Sequence, residues 1–120
     1  MRASNAIGRL GENEAVSYLQ AAGHKILCRN YRIPGAEIDI LSVKDHLLYI
    51  IEVKASKGMD GEFDPLERVD GRKIMRMKKA AGRYLSEYPA LYYTEMRLAF
   101  ITVEGLGRKA QKIEFIDGSD

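Results

Sequence analysis

Residues 37–54 read Glu-Ile-Asp-Ile-Leu-Ser-Val-Lys-Asp-His-Leu-Leu-Tyr-Ile-Ile-Glu-Val-Lys. The pattern is two apolar strands joined by a polar turn, and the charges within those strands are Glu37, Asp39, Glu52 and Lys54. Side chains alternate along a strand, so Glu37 shares a face with Asp39, and Glu52 shares one with Lys54. Ile38, Ile40, Tyr49, Ile51 and Val53 are expected to fill the opposite face. Strands this apolar belong in the middle of a sheet, where an unpaired carboxylate is expensive.

Register decides whether the two charged pairs meet. With Asp45-His46 as a two-residue loop, Lys44 stands opposite Leu47, Asp39 opposite Glu52 and Glu37 opposite Lys54. A four-residue loop gives the same pairing. A bulge-free three-residue loop would put Asp39 and Glu52 on opposite faces, because a slip of one residue turns every side chain over. Carboxylates facing each other across strands repel. A divalent cation with oxygen ligands is the natural way to hold them there.

At 120 residues the chain is expected to form one domain with a real core. No apolar run reaches the length of a membrane span, and the N-terminus lacks a signal-type apolar stretch. Cys28 is the single cysteine, which excludes a disulfide framework or a thiolate zinc site and suits a small buried hydrophobe on a strand. These features suggest a soluble cytoplasmic protein. A net charge of +2 says little about partners, so the placement of charge matters more.

Residues 4–22 have helical periodicity, with Gly8, Gly11, Ala15, Leu19 and Ala22 as a small-residue packing stripe and Gly23 as the stop. Glu12 falls on the edge of that stripe, between Val16 and Leu19, whereas Glu14 is expected to project to water. Taken alone, Glu12 reads as a partly exposed edge residue. Lys25–Tyr31 forms a first strand, and Pro34-Gly35 a turn. After Lys54 a polar, glycine-containing loop follows, suited either to substrate contact or to plain connection. Asp64-Pro65-Leu66-Glu67 signals a helix start, and Pro89 ends that helix near Glu87. Its predicted core face is Val69, Ile74, Met77, Ala80, Ala81, Tyr84 and Leu85. Arg72, Arg76, Lys79 and Arg83 fall within about 60° on one flank, with Arg68 extending the row if the helix is continuous. Lys73 alone breaks the pattern, projecting onto the apolar side. Two strands close the chain, Thr94–Glu104 and Gln111–Asp117, around a turn at Gly105–Arg108.

Metal-dependent phosphodiester hydrolysis needs carboxylates for Mg²⁺ or Mn²⁺ and a group that orients the attacking water. Asp39 and Glu52 meet the first need, with the Val53 carbonyl as a further ligand. Lys54 suits the second, while Glu37 and Glu12 are supporting candidates. The flank of Arg72, Arg76, Lys79 and Arg83 would meet a polyanionic backbone. Each feature has an ordinary counterpart: a surface ion pair, a solvated basic face, a snorkelling Lys73. Their convergence is what points to chemistry. His24 and His46 sit in turn contexts without ligand spacing.

Gly8-x-x-Gly11-Glu12-x-x-Ala15-x-x-Tyr18-Leu19, Arg29-Asn30-Tyr31-Arg32, Glu37-Ile38-Asp39-Ile40 and Glu52-Val53-Lys54 together resemble the YraN-like family of small uncharacterised bacterial proteins. Val69 with Lys73, and Ala81 with Tyr84-Leu85, continue the match over about the first 100 residues. That family is similar to the restriction-endonuclease-like superfamily, which includes archaeal Holliday-junction resolvases. The resemblance implies an α/β fold in the order α-β-β-β-α-β-β, a central mixed sheet with helices on both sides. It implies that Asp39, Glu52 and Lys54 correspond to the superfamily's acid, acid and lysine signature, with Glu12 as the helix acid. Three departures stand out. Ala36 replaces a glycine before Glu37, Ser56 an arginine, and Arg97-Leu98-Ala99 an Arg-Phe-Asp. None removes an expected metal ligand.

The expectation is a Mg²⁺- or Mn²⁺-dependent endonuclease acting on structured or branched DNA, with Lys73 contacting phosphate or stabilising the acids. A two-fold substrate would favour a homodimer. The alternatives are a non-catalytic nucleic-acid-binding or scaffolding module that keeps the fold, and a purely structural ion-pair network.

Overall fold

The computed structural model describes residues 3–58 and 71–118. The proposed helix start at Asp64-Pro65, Arg68, Val69, and the loop from Met59 onward lie outside them. The elements are α1 (Ala3–Ala21), β1 (Lys25–Ile33), β2 (Ala36–Lys44), β3 (Leu47–Ala55), α2 (Gly71–Glu87), β4 (Glu95–Glu104) and β5 (Lys112–Asp117). This is the predicted order, α-β-β-β-α-β-β.

The five strands form one mixed sheet in chain order, β1-β2-β3-β4-β5. Every neighbouring pair is antiparallel except β3 and β4, which are parallel because the crossover through α2 lies between them. Pro34-Gly35 makes the first turn, with Gly35 at φ 83°, a backbone region that glycine enters without steric cost. Asp45 and His46, at φ 52° and 66°, form the two-residue loop whose twist suits a hairpin. Lys44 therefore pairs with Leu47, and the predicted register runs inward as far as Ile40 opposite Ile51.

Two cores lie on the two sides of the sheet. Met77, Ala80, Ala81 and Tyr84 of α2 pack on Ile38, Leu41, Leu48, Ile50 and Leu98, with Ile74 and Leu85 at the margin. Ala15 and Leu19 of α1 pack on Ile40, Tyr49, Ile51, Ala99, Ile101 and Val103. The predicted inner face of α2 is thus the observed one across its described part. The α1 stripe is shorter than expected. Gly11 is buried so tightly against β3 that a Cβ there would collide with that of Ala55, but nothing approaches Gly8. Gly23, at φ 97°, ends α1 with His24 N–H donating to the Leu19 carbonyl at 2.9 Å and Gly23 N–H to Gln20 at 3.1 Å.

One expectation fails in an informative place. Alternation along the strand places Ile38 on the same face as Ile40 and Ile51, yet it joins the α2-side core while they join the α1-side core. Strict alternation therefore breaks at Asp39. On the neighbouring strand β1, Asn30 adopts φ 53°, between the ladder pairs Arg29 with Ile40 and Tyr31 with Ile38. An asparagine tolerates this left-handed backbone better than most residues.

Candidate active site

The hydrogen-bond ladder between β2 and β3 is followed only to Ile40 and Ile51. Beyond it, the Asp39 carboxylate takes the place of a backbone acceptor, receiving the Val53 N–H at 2.8 Å on Oδ2. A residue's N–H and C=O leave an extended strand on the same edge, so the Val53 carbonyl also faces this parting of the strands. Glu52 projects from β3 on the α2 side and is 7 % exposed. Lys54 Nζ lies 3.0 Å from Glu52 Oε2, and Lys73 Nζ reaches 2.5 Å from Oε1. Lys73 is thus the one lysine of α2 that breaks the helical pattern because it serves a buried acid. Asp39, Glu52, Val53, Lys54, Lys73, Arg76 and Glu37 line one open pocket of about 420 Å³.

The two acids experience opposite fields. Burial pushes the Asp39 carboxyl up, the Val53 N–H pulls against this, and the charges of Glu12, Glu52 and Glu37 push further, to about 6 from 3.8. Burial also pushes Glu52 up, but hydrogen bonds and charge from Lys73 and Lys54 win, and its carboxyl is held below the usual range. Of these two acids, Glu52 is paired with lysine, whereas the partner of the Asp39 carboxylate is a backbone N–H.

Glu12 and Glu37 occupy the margins. Glu12 is 6 % exposed, contrary to the partly exposed edge position its helix phase suggested. Its Oε1 accepts from Asn30 Nδ2 at 2.9 Å and Arg29 Nε at 3.2 Å, with Arg29 Nη2 also at 3.2 Å. These partners let the carboxylate be buried where the α1 periodicity alone did not. They line a separate pocket of about 300 Å³ together with Arg9 and Asn13, so Glu12 reaches Asp39 by charge rather than through a shared wall. Glu14 also differs from expectation, accepting from Gln111 Nε2 at 2.9 Å instead of pointing freely to water. Glu37 is exposed and pairs with Arg32, Nε to Oε2 3.1 Å, its neighbour across β1. Of the basic flank, Arg76 lines the acidic pocket, while Arg72, Lys79 and Arg83 are exposed along α2.

The donor set can be compared with what a divalent ion requires. Among the described residues, His, Cys, Asp and Glu form no group of three or more placed to hold a metal. Mg²⁺ and Mn²⁺ sites on phosphate substrates commonly use one or two carboxylates and leave the other positions to water and phosphate. Asp39, Glu52 and the Val53 carbonyl fit that requirement, and the excess negative charge around Asp39 is what a cation would relieve. Glu52 fits less simply, because two ammonium groups already engage it.

Other side chains have ordinary explanations. His24 is buried, its Nδ1 2.9 Å from Ser42 Oγ; burial and then Lys44 lower its pKa, with Asp45 opposing. Cys28 packs beside the α2-side core, and burial raises its thiol to about 11, far from a reactive thiolate. No helix among the described residues is long and apolar enough to cross a membrane. The structure adds Arg29 and Asn30, the partners of Glu12, which sequence reading left without a role. Neither motif spacing nor periodicity relates a strand residue to a helix acid 17 positions earlier.

Comparison with known proteins places the chain in a family. A 33 % identical relative from Petrotoga mobilis aligns over 86 % of this chain and 90 % of its own length. One from Acidothermus cellulolyticus is 32 % identical over 98 % of this chain and 95 % of its own. One from Dictyoglomus thermophilum is 44 % identical over 67 % of each. All three are described as UPF0102 proteins. The profile of uncharacterised protein family UPF0102 matches residues 11–103, a span that holds Glu12, Asp39, Glu52, Lys54 and the whole of α2, and the chain belongs to that family.

Proposed function

We propose that the protein is a metal-dependent nuclease that hydrolyses phosphodiester bonds in structured or branched DNA. The observation that carries this reading is the meeting of Asp39, Glu52 and Lys54 in one open pocket where β2 and β3 part, with Arg76 of the basic flank in its wall. Asp39, Glu52 and the Val53 carbonyl would hold Mg²⁺ or Mn²⁺. The chemistry such an ion supplies is polarisation of a phosphoryl oxygen and activation of water. Lys54, fixed by Glu52, presents its ammonium where it can orient a water or a phosphoryl oxygen. Lys73 holds Glu52 ionised and is close enough to exchange that contact for a phosphate. Glu12 supports the site by setting the field at Asp39. Arg72, Arg76, Lys79 and Arg83 guide a polyanion across α2.

The second reading is a nucleic-acid-binding or scaffolding module without turnover. It is favoured by one feature, the double lysine cap on Glu52, which satisfies that carboxylate without any metal. The two readings separate in a cleavage assay on branched, single-stranded and duplex DNA with Mn²⁺. Cleavage abolished by Asp39→Ala and by Lys54→Ala supports the nuclease. Binding without cleavage across metals and substrates supports the module, and cleavage surviving both substitutions identifies a contaminant.

A further inference from the structure

The end of α2 remote from the acidic pocket carries a second recess, of about 450 Å³, lined mainly by apolar groups: Leu27, Tyr84, Tyr88, Pro89 and Leu91, with Glu87 among them. We propose that this recess takes one unpaired nucleobase, stacked on Tyr88, from a strand whose phosphates follow the basic flank of α2. The inference rests on the nucleic-acid arm of the reading above and is independent of turnover.

The recess is built for a flat apolar ring. Tyr88 is 54 % exposed, and its inner side stacks on buried Tyr84 with ring centres 4.5 Å apart at 29°. Tyr84 is braced in turn by the edge-on ring of Tyr31, 5.5 Å away at 89°. The Tyr88 backbone is pinned on both sides, its N–H donating to Leu85 at 3.1 Å and its carbonyl accepting from Leu91 at 3.1 Å. A rigid aromatic platform loses little freedom when another ring is added to the stack.

Charge selects a base as the occupant. Arg76, Lys79 and Arg83 lie exposed on the flank between the acidic pocket and this recess. At the helical rise, Arg76 and Tyr88 are about 18 Å apart, room for about five nucleotides at duplex-like spacing. Glu87 bars a phosphate from the recess itself. One of its oxygens accepts the Tyr31 O–H at 2.8 Å; the other remains an acceptor for an exocyclic amino group. Cytosine and adenine offer such a group, whereas thymine does not.

The test is fluorescence anisotropy in EDTA, where cleavage cannot interfere, with the full chain and labelled twelve-residue oligo-dC, oligo-dA and oligo-dT, and a duplex of equal length. Tyr88→Ala is expected to weaken oligo-dC binding by about 5- to 100-fold without changing the salt dependence. Tyr88→Trp is expected to retain binding, and Glu87→Gln to narrow the preference for oligo-dC over oligo-dT. Duplex binding should be indifferent to Tyr88. Equal single-strand binding by wild type and Tyr88→Ala overturns the inference while leaving the nuclease reading intact. Absence of binding to any strand overturns the inference and the nucleic-acid reading together. A Tyr88-dependent dimer in sedimentation, with no strand bound, assigns the recess to a second copy and overturns it as well.

Discussion

Replacing Asp39 with asparagine should stabilise the metal-free protein. The Asp39 carboxyl is part-buried, and that burial together with the charges of Glu12, Glu52 and Glu37 raises it to about 6, against 3.8 when free. Raising the folded value means that the native state binds a proton more readily than the unfolded chain. Below pH 3.8 both states are protonated and nothing is lost; between 3.8 and about 6 the unfolded chain ionises first; above about 6 the full penalty applies. The destabilisation is about 3 kcal/mol at pH 8 and about 1 kcal/mol at pH 4.5. Asparagine keeps an oxygen for the Val53 N–H and removes the charge. Asp39→Asn should therefore gain roughly 10 °C in Tm at pH 8 in chelator, and about a third of that at pH 4.5. Mn²⁺ should all but close that gap at pH 8, since an ion at about 100 times its Kd returns about 2.7 kcal/mol to the wild type alone. The assay is thermal unfolding of both proteins at the two pH values, with EDTA and with Mn²⁺. An Asp39→Asn protein no more stable than wild type at pH 8 in chelator would refute the electrostatic reasoning. A gap that Mn²⁺ leaves unchanged would refute the metal site.

Three further outcomes follow from the same geometry. Lys73→Met removes one of the two cations competing for Glu52, so Mn²⁺ should bind about five-fold more tightly by calorimetry (about 1 kcal/mol); weaker binding would mean Lys73 orders the site rather than blocks it. Glu52→Gln leaves Lys54 and Lys73 facing each other and should cost about 2–3 kcal/mol in denaturant unfolding at pH 7, less than for a fully buried pair because both lysines keep some solvent. Because the folded value of Glu52 lies below 4.5, that contribution is present above pH 4.5 and disappears as pH falls through the folded value, so the two proteins should converge in acid. Gly11→Ala drives a methyl into Ala55 and should cost about 1–3 kcal/mol, measured by chemical denaturation, as α1 lifts from β3.

Local chemistry made much of this protein legible from its residues. The two-residue turn at Asp45-His46, the Pro34-Gly35 turn and the Gly23 stop each depend on a few neighbouring residues, and the apolar phase of α2 follows from its own periodicity. The hairpin register then follows from the turn as far as Ile40 opposite Ile51, and Asp39 and Glu52, just beyond it, line one pocket. Nothing in that counting reveals that the ladder opens beyond Ile40, that Asp39 substitutes for a backbone acceptor, or that Ile38 turns to the other core. Those features arise where three strands and two helices compete for the same space. The burial of Glu12 is of the same kind: its helical phase placed it at an edge, and only Arg29 and Asn30, brought over by β1, make a buried carboxylate affordable. Lys73 shows the division most clearly, since its sequence position marks it as out of phase with α2, but the packing of that helix on the sheet decides which acid it meets.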